Sequence, residues 1–294
     1  MRVLAIAVLL GVCGSAQAQT ELVDTTQVED PPDELRSSRA YANPWSEGEP
    51  RGFFAATFDL GFLYLRPRLS VGYGKPHQLW IGWDANPIVN VSAAGGYTGL
   101  RLHHPYADLR LGARYGVAYN RSYFEPQRSY RARDFGIDNG STASYLSWES
   151  ELTLQIPAGR GRILSESAVT YVSRVPSTRF VLEETIRVIV DPPWVWRTRL
   201  GYLFRFGAEN AIQLGVVAEL VGVPRRDLIV VRGGLVLNWN VTPKIQIRGA
   251  WIPTLYSRDQ LGIRGGYFGT LGIRWRWATG MPDTPEQDLR CPDC

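Results

Sequence analysis

The chain has 294 residues, a formal net charge of +4 and 45% hydrophobic residues. Its mean hydropathy is slightly negative, -0.15, and beyond residue 19 no apolar run approaches the roughly 18 residues that a membrane helix needs. This composition excludes a bundle of membrane helices. The 30 glycines, 14 tyrosines, 10 tryptophans and 10 phenylalanines, with only 2 methionines, are typical of short twisted strands, tight turns and aromatic belts.

The first 18 residues have the features of a secretory signal peptide. Arg2 provides a basic start, residues 3–12 (VLAIAVLLGV) form a short apolar core, and Ala16-Gln17-Ala18 is an A-x-A cleavage site. The sequence therefore predicts export. A buried N-terminal segment and a lipoprotein modified at Cys13 are the alternatives.

The remaining cysteines are Cys291 and Cys294, in a C-terminal Cys-Pro-Asp-Cys. Two thiols are too few for a structural zinc site, and no redox fold surrounds them. In an oxidising compartment they predict a local disulfide or a pair without a role. We expect no metal site and no cofactor.

Charge is distributed unevenly along the chain. Residues 19–50 carry eight acidic and two basic residues, residues 51–277 carry 16 acidic and 28 basic residues, and residues 278–294 carry four acidic residues and one basic residue. A basic body is also typical of nucleic-acid binding, which export argues against. Anionic solutes, lipopolysaccharide phosphates or an acidic partner fit an exported protein better. The lead-in 19–50 is aperiodic and predicts a disordered segment.

Apolar and polar side chains alternate from Arg51 onwards. In segment 194–206 the even positions are apolar apart from Thr198, whereas the odd positions include Arg197, Arg199 and Arg205. Alternate side chains of a strand face opposite sides, so in a membrane barrel one set meets lipid and the other meets the lumen. Twelve segments are predicted as strands: 53–73, 78–89, 96–104, 106–124, 143–156, 163–173, 179–190, 194–206, 210–221, 227–241, 244–254 and 266–278.

This count leaves one conflict. With both termini in the periplasm, the connection after the fourth strand should be a short periplasmic turn, but residues 125–142 are long and polar. Either the count before residue 104 is wrong, with extra turns at 84–87 or 95–96, or this connection enters the lumen or the periplasm.

The fold prediction is an all-β, transmembrane, antiparallel up-and-down barrel of about twelve strands over 51–278, followed by an acidic tail, 279–294. The alternative is a soluble β-sandwich or lipocalin-like barrel, which also alternates but buries its apolar face. Tryptophan and tyrosine near the strand ends favour the membrane barrel. The predicted location is the bacterial outer membrane, with both termini in the periplasm.

The last predicted strand contains Thr270-Leu271-Gly272-Ile273-Arg274-Trp275-Arg276-Trp277. This segment resembles the assembly signal of bacterial outer-membrane β-barrel proteins, which combines a polar residue, a glycine and two aromatic residues at fixed spacing. The motif covers eight residues, and the signal peptide and alternation extend the resemblance over most of the chain at the level of a class. The resemblance implies insertion by the barrel assembly machinery into outer-membrane lipid. It implies no particular activity.

A search for catalytic residues finds little. A serine hydrolase needs a histidine within reach of its nucleophile, but His77, His103 and His104 have no serine two residues away. The acidic stretch 134–141 (DFGIDNGS) lacks the ligand spacing of an EF-hand. We predict a protein that is not an enzyme, with a lipid-modifying hydrolase as the least favoured option.

Arginines dominate the polar register of the predicted strands. If the apolar register faces lipid, the following arginines project into the lumen and are candidates for setting charge selectivity: Arg110, Arg114, Arg197, Arg199, Arg205, Arg232, Arg248, Arg274 and Arg276. Asp108, Glu149, Glu151 and Glu219 share that register. One interpretation is a narrow channel for small anionic solutes, since rings of arginine favour anions. The other is a barrel plugged by arginine–carboxylate pairs, because buried charges need partners.

A third interpretation uses the two acidic termini. As a structural or docking component of an envelope assembly, the protein would bind a periplasmic partner through 19–50 and 279–294. The channel is the first functional prediction and this plugged docking barrel is the alternative.

Overall fold

The computed structural model describes residues 49–61, 64–90, 93–119, 123–135, 142–207, 211–267 and 271–279. The predicted signal peptide, nearly all of the acidic lead-in, the tail with Cys291 and Cys294, and Thr270 of the assembly-signal motif lie outside the described residues.

Strands make up most of the described chain. Their bounds are β1 (Arg51–Gly61), β2 (Tyr64–Lys75), β3 (Leu79–Asn90), β4 (Ala93–His104), β5 (Ala107–Ala118), β6 (Ala143–Ala158), β7 (Gly161–Ser173), β8 (Val181–Glu183), β9 (Val188–Val190), β10 (Trp194–Phe206), β11 (Ile212–Val223), β12 (Leu228–Asn240), β13 (Ile245–Trp251), β14 (Thr254–Ser257) and β15 (Gly272–Ala278). Short 3-10 turns span Ala132–Phe135, Pro224–Arg226 and Gly262–Gly265.

The strands form a closed antiparallel barrel with twelve positions in its wall. Neighbours in sequence pair with each other, except that β10 pairs with β7. The last strand, β15, closes the ring by pairing with β1 from Ala55↔Ala278 to Gly61↔Gly272 and with β13. The short β14 pairs with β12 after a register shift. This architecture confirms the predicted fold.

The predicted first strand, 53–73, is wrong, because the chain reverses inside it to give β1 and β2. A Cβ atom at Gly61 would overlap the ring of Tyr64, so the close approach of the two strand ends requires glycine. The segment carries no Pro, Asn or Asp at the reversal to announce a turn. The extra turns considered at 84–87 and 95–96 lie inside β3 and β4.

The predicted seventh strand, 179–190, is also wrong as a wall strand. Its two short strands, β8 and β9, pair only with each other. The two errors offset each other, so the wall still has twelve positions.

Correcting the count resolves the conflict over residues 125–142. The described residues of this connection now follow the fifth wall strand, so they lie at the barrel end opposite the first and last wall residues, Arg51 and Ala278. The described parts of the connections 174–193 and 252–271 lie at that same end, which we call the loop end. The end with Arg51 and Ala278 has short connections, such as 76–78 and 105–106, and we call it the turn end.

The barrel is apolar outside and polar inside. Leu100, Trp148, Leu200, Val216 and Ile273 are typical of many exposed apolar side chains on the outward register. Aromatic residues concentrate near both rims of this surface, with Tyr119 and Trp194 at the loop end and Tyr106 and Phe206 at the turn end. A soluble barrel would show the opposite arrangement.

The described part of the chain holds no helix with the length and hydropathy required to cross a bilayer.

Candidate functional site in the barrel lumen

All nine arginines predicted to face the lumen lie on the inward register of their strands. Arg110, Arg114, Arg197 and Arg232 are buried, whereas Arg199, Arg205, Arg274 and Arg276 are partly buried. Arg248 is exposed although it faces inward, so open space adjoins it within the barrel. Their role in charge selectivity remains a prediction.

Four further arginines share this register and were missed in the sequence: Arg66, Arg68, Arg101 and Arg162. The first two were hidden because 53–73 was treated as one strand, and the others lie near strand ends. Together with Arg51, which starts β1 on the same register, the described wall strands place fourteen arginines on their inward faces. Seven carboxylates face them: Asp59, Asp84, Asp108, Glu149, Glu151, Glu166 and Glu219.

Most of these carboxylates hold arginines in direct ion pairs. Arg114 makes a bidentate contact with Glu149, with Nε and Nη2 at 2.5 and 2.9 Å from the two carboxylate oxygens. Glu219 accepts from Nη2 of Arg199 and from Nη1 of Arg232, both at 2.6 Å. Bidentate, buried contacts of this kind fix guanidinium groups in place. Part of the lumen is therefore rigid and charge-balanced.

Two glycines make room for the ring of Tyr97 among the lumen arginines. A Cβ at Gly99 or Gly112 would collide with the hydroxyl of Tyr97, so both positions leave room for that ring. The guanidinium carbon of Arg110 lies 4.5 Å from the centre of the same ring, a cation–π contact. The ring positions Arg110 between Asp84 and Glu151.

Five lumen arginines have no carboxylate within 4.0 Å among the described residues: Arg66, Arg162, Arg205, Arg248 and Arg276. Neutral amides surround several of them. Arg162 donates to Gln155 and Gln213, Arg248 donates to Asn238 at 3.1 Å, and Arg276 donates to Gln246 at 3.0 Å. An amide accepts a hydrogen bond without cancelling the charge. We call these five the unpaired arginines; they follow the wall from β7 round to β2.

The β8–β9 hairpin lies inside the loop end of the barrel. One face, with Val181, Ile186, Val188 and Val190, packs against inward residues of the wall from β5 to β12. The other face, with Leu182 and Ile189, packs against Tyr130, Phe135 and Leu261 of the long connections. The hairpin is thus covered on both faces and narrows this end.

Polar contacts fix the hairpin in its seat. Ile186 N–H donates to Glu183 at 2.5 Å and Tyr145 Oη donates to the same carboxylate at 3.2 Å. Arg226 donates to the Ile189 carbonyl oxygen at 2.8 Å and pairs with buried Asp259. Burial raises the pKa of the Glu183 carboxyl, with Glu149 adding to the rise.

A second group of apolar side chains also occupies part of the lumen. Leu164, Leu203, Val217 and Ile252 form an apolar cluster against the inner wall, with Tyr267 packed on it. The Tyr267 ring also carries the guanidinium groups of Arg199 and Arg232, each 5.3 Å from its centre. The cluster therefore occupies part of the lumen beside β7, β10 and β11, whereas Arg248 on β13 borders open space.

The three histidines lie beside a carboxylate, an aromatic ring and a backbone carbonyl group. Nδ1 of His103 lies 2.5 Å from Oδ2 of Asp108, and both residues are on the inward register of their strands. His104 is adjacent to Tyr106 at the turn end. Nε2 of His77 lies 3.2 Å from the Trp277 carbonyl oxygen. Among the described residues, no serine hydroxyl is hydrogen-bonded to any of the three.

Solved structures similar to this chain are bacterial outer-membrane barrels. The NanC porin is 10% identical with a TM-score of 0.35, over 77% of this chain and 97% of that chain. The KdgM porin, in complex with disordered oligogalacturonate, is 6% identical with a TM-score of 0.37, over 77% and 96%.

A loop-deleted OmpT, an outer-membrane protein of Vibrio cholerae, is 7% identical with a TM-score of 0.33, over 78% of this chain and 99% of that chain. Neither a protein-family model nor a curated protein matches the sequence. The likeness concerns the fold alone. The chain's own closed wall, apolar outside and charged within, is that of an outer-membrane β-barrel.

Proposed function

We propose that this protein is a narrow channel for small anionic solutes in the bacterial outer membrane, with both termini in the periplasm and no catalytic activity. The observation that carries the proposal is the set of unpaired arginines. A guanidinium without a carboxylate partner contributes its full charge to the lumen, and low-dielectric walls concentrate that charge on a passing anion.

The path proposed for the anion runs along β13, β15, β1 and β2. Part of the lumen beside other strands is occupied by the hairpin and by the cluster beneath Tyr267. Arg248, Arg274 and Arg276 line the open side, and Arg248 is exposed to it. Twelve strands enclose a narrower lumen than the 16–18 strands of large porins, which favours small solutes over polymers.

The proposed orientation follows from the connections. Outer-membrane barrels have short periplasmic turns and longer extracellular loops, so the turn end and both termini belong in the periplasm. Lipopolysaccharide then surrounds the loop end, and the barrel assembly machinery inserts the chain.

The alternative of a plugged docking barrel is supported by the packed hairpin and the charge-balanced pairs. In that case the periplasmic acidic termini bind a basic partner and the lumen conducts nothing.

A flux assay separates the two functions. The refolded protein is placed in vesicles loaded with a chloride-sensitive fluorophore. The fluorescence change after chloride is added outside is compared with the change after an impermeant organic anion is added. The channel predicts chloride entry that scales with protein content. A correctly folded barrel, recognised by its heat-dependent shift on gels, that admits no chloride would contradict the proposal.

A further inference from the structure

A polar cavity lies near the turn end of the lumen, and Arg274 and Arg276 of the proposed path contribute to it. It has a volume of about 120 Å³ and is bordered by β1, β2, β3, β4, β15 and the 76–78 turn. A single water occupies only about 10–15 Å³ by such a measure. The cavity therefore has room for a polyatomic ion.

The lining of this cavity is strongly basic. Four arginines, Arg68, Arg101, Arg274 and Arg276, and two histidines, His77 and His103, contribute to it. Among the described residues, no carboxylate contributes to the lining. The acidic partners of two of these arginines lie outside the lining: Asp59 pairs with Arg274 at 2.6 Å, and Asp108 pairs with Arg101 at 2.6 Å.

The arginines are oriented but not all neutralised. Arg68 and Arg101 share Asp84, at 3.7 and 3.4 Å, and Arg110 approaches the same carboxylate at 3.8 Å. Nε of Arg68 is buried without a hydrogen-bond partner among the described atoms. Among the described residues, the guanidinium of Arg276 is hydrogen-bonded to the side-chain amide of Gln246 and to no carboxylate. Because carboxylates outside the cavity hold the other guanidinium groups of the lining in place, their N–H donors are pre-organised for an anion that accepts several hydrogen bonds.

Apolar residues form the rigid floor of the cavity. Phe53 and Trp80 are both buried and pack edge to face at 5.4 Å, and the guanidinium of Arg101 lies 5.5 Å from the centre of the Trp80 ring. Such a floor limits solvent access and strengthens the electrostatic interactions above it.

We propose that this cavity is a binding site for one small tetrahedral oxyanion of the phosphate or sulfate type. The biological role of this site rests on the proposed channel function, since the site lies at the turn end of the proposed path. Its evidence is separate, because binding in the cavity does not require conduction.

The test is calorimetric titration of the refolded full chain in detergent with inorganic phosphate, at constant ionic strength in chloride. We expect one saturable site per chain. Arg276→Gln should weaken phosphate binding by at least about tenfold, since it removes the cavity arginine without a carboxylate partner. The matched control is Arg162→Gln, a lumen arginine outside the cavity, which should change the affinity less than about twofold.

A second variant covers the case in which Arg276→Gln does not fold. Thr57 lines the cavity, and Thr57→Leu fills part of it without changing charge, so it should also abolish saturable binding. Equal affinity in wild type and both cavity variants, or equal loss in Arg162→Gln, would overturn the site. Saturable binding lost only in the cavity variants, together with silent vesicles, would retain the site and reject the channel. Chloride flux without saturable phosphate binding would do the reverse.

Discussion

Individual lumen charges depend on partners contributed by other strands. Arg232 and Glu219 are both fully buried, and their side chains meet at 2.6 Å. Glu219 also accepts from Arg199. Removing one partner of a buried pair leaves an uncompensated charge, which costs far more than losing an exposed pair.

Glu219→Gln should therefore lower the free energy of unfolding by about 3–5 kcal/mol. The measurement is denaturant-induced unfolding in lipid vesicles, followed by tryptophan fluorescence. The control is Glu125→Gln, which breaks the exposed contact with Arg179 at 3.0 Å and should cost less than about 1 kcal/mol. Equal losses in the two variants would show that the lumen pair is not buried as described.

Sequence alternation was sufficient to place nine arginines on the inward register, because a strand's period of two is visible in the chain itself. It was not sufficient to pair them. Asp84 forms ion pairs with Arg68, Arg101 and Arg110, which belong to three different strands. Such contacts depend on the register between strands, which a single sequence does not show. The cavity near the turn end was invisible for the same reason.

The β8–β9 hairpin is the element on which the width of the channel depends. Val188, Ile189 and Val190 are almost completely buried, and each such side chain contributes on the order of 1.5–3 kcal/mol. This burial favours the docked position of the hairpin, which would constrict the proposed channel at its loop end.

A charge placed where the hairpin packs against the wall should release the hairpin and widen the lumen. Val190→Asp puts a carboxylate into an apolar contact, which is strongly unfavourable, so the hairpin should leave the lumen. We expect larger single-channel conductance and faster proteolysis within 174–193. Ser177→Asp, at an exposed position of the same connection, should change neither property. Unchanged conductance in Val190→Asp would mean that the hairpin does not constrict the path.

The hairpin should also respond to pH through Glu183. Because its folded pKa is raised, the docked hairpin favours the protonated acid. That contribution is present below the carboxyl's ordinary pKa and is lost as the pH rises through the raised value.

Hydrogen exchange of the β8 and β9 amides, corrected for intrinsic rates, should therefore be slower in acid than at alkaline pH. Glu183→Gln should remove this dependence. Protection that increases with pH would contradict the assignment.

The sequence misrepresented this element for an identifiable reason. A wall strand buries one face, but Val181, Leu182, Val188, Ile189 and Val190 are buried on both faces, and their apolar run continues without alternation. Such runs are typical of strands enclosed on both sides. The polar Glu184-Thr185 step between them marks the hairpin turn.

At the scale of the molecule, the exposed apolar surface determines where the barrel is stable. Leu200 lies at the middle of β10 and is exposed on the outward face. Leu200→Arg should reduce the free energy of unfolding in vesicles by about 2–4 kcal/mol, as expected for a charge at the bilayer midplane. Ser177→Arg, in a connection at the loop end, should change it little. Similar values for the two would argue against a lipid-facing surface.

The overall architecture was predictable, and its connections were not. The outward apolar register follows from periodicity, whereas the count of twelve was reached because the errors at 53–73 and 179–190 cancelled. The side on which a connection lies depends, however, on whether an odd or an even number of wall strands precedes it. The unmarked turn after Gly61 changed that number by one. The missed reversal inverted the predicted direction of the strands from 78–89 to 163–173, and with them the side of residues 125–142. The false wall strand 179–190 then restored the correct direction from 194–206 onwards.

The most direct test of the channel is its ion selectivity. The reversal potential is measured across a planar bilayer under a potassium chloride gradient for wild type, for the double variant Arg248→Glu with Arg276→Glu, and for a control. The control is Arg128→Glu with Arg133→Glu, which makes the same total charge change at exposed loop positions. We predict anion selectivity for the wild type and the control, and a shift toward cations in the lumen double variant. Equal reversal potentials in all three, or a barrel without conductance, would contradict the proposal.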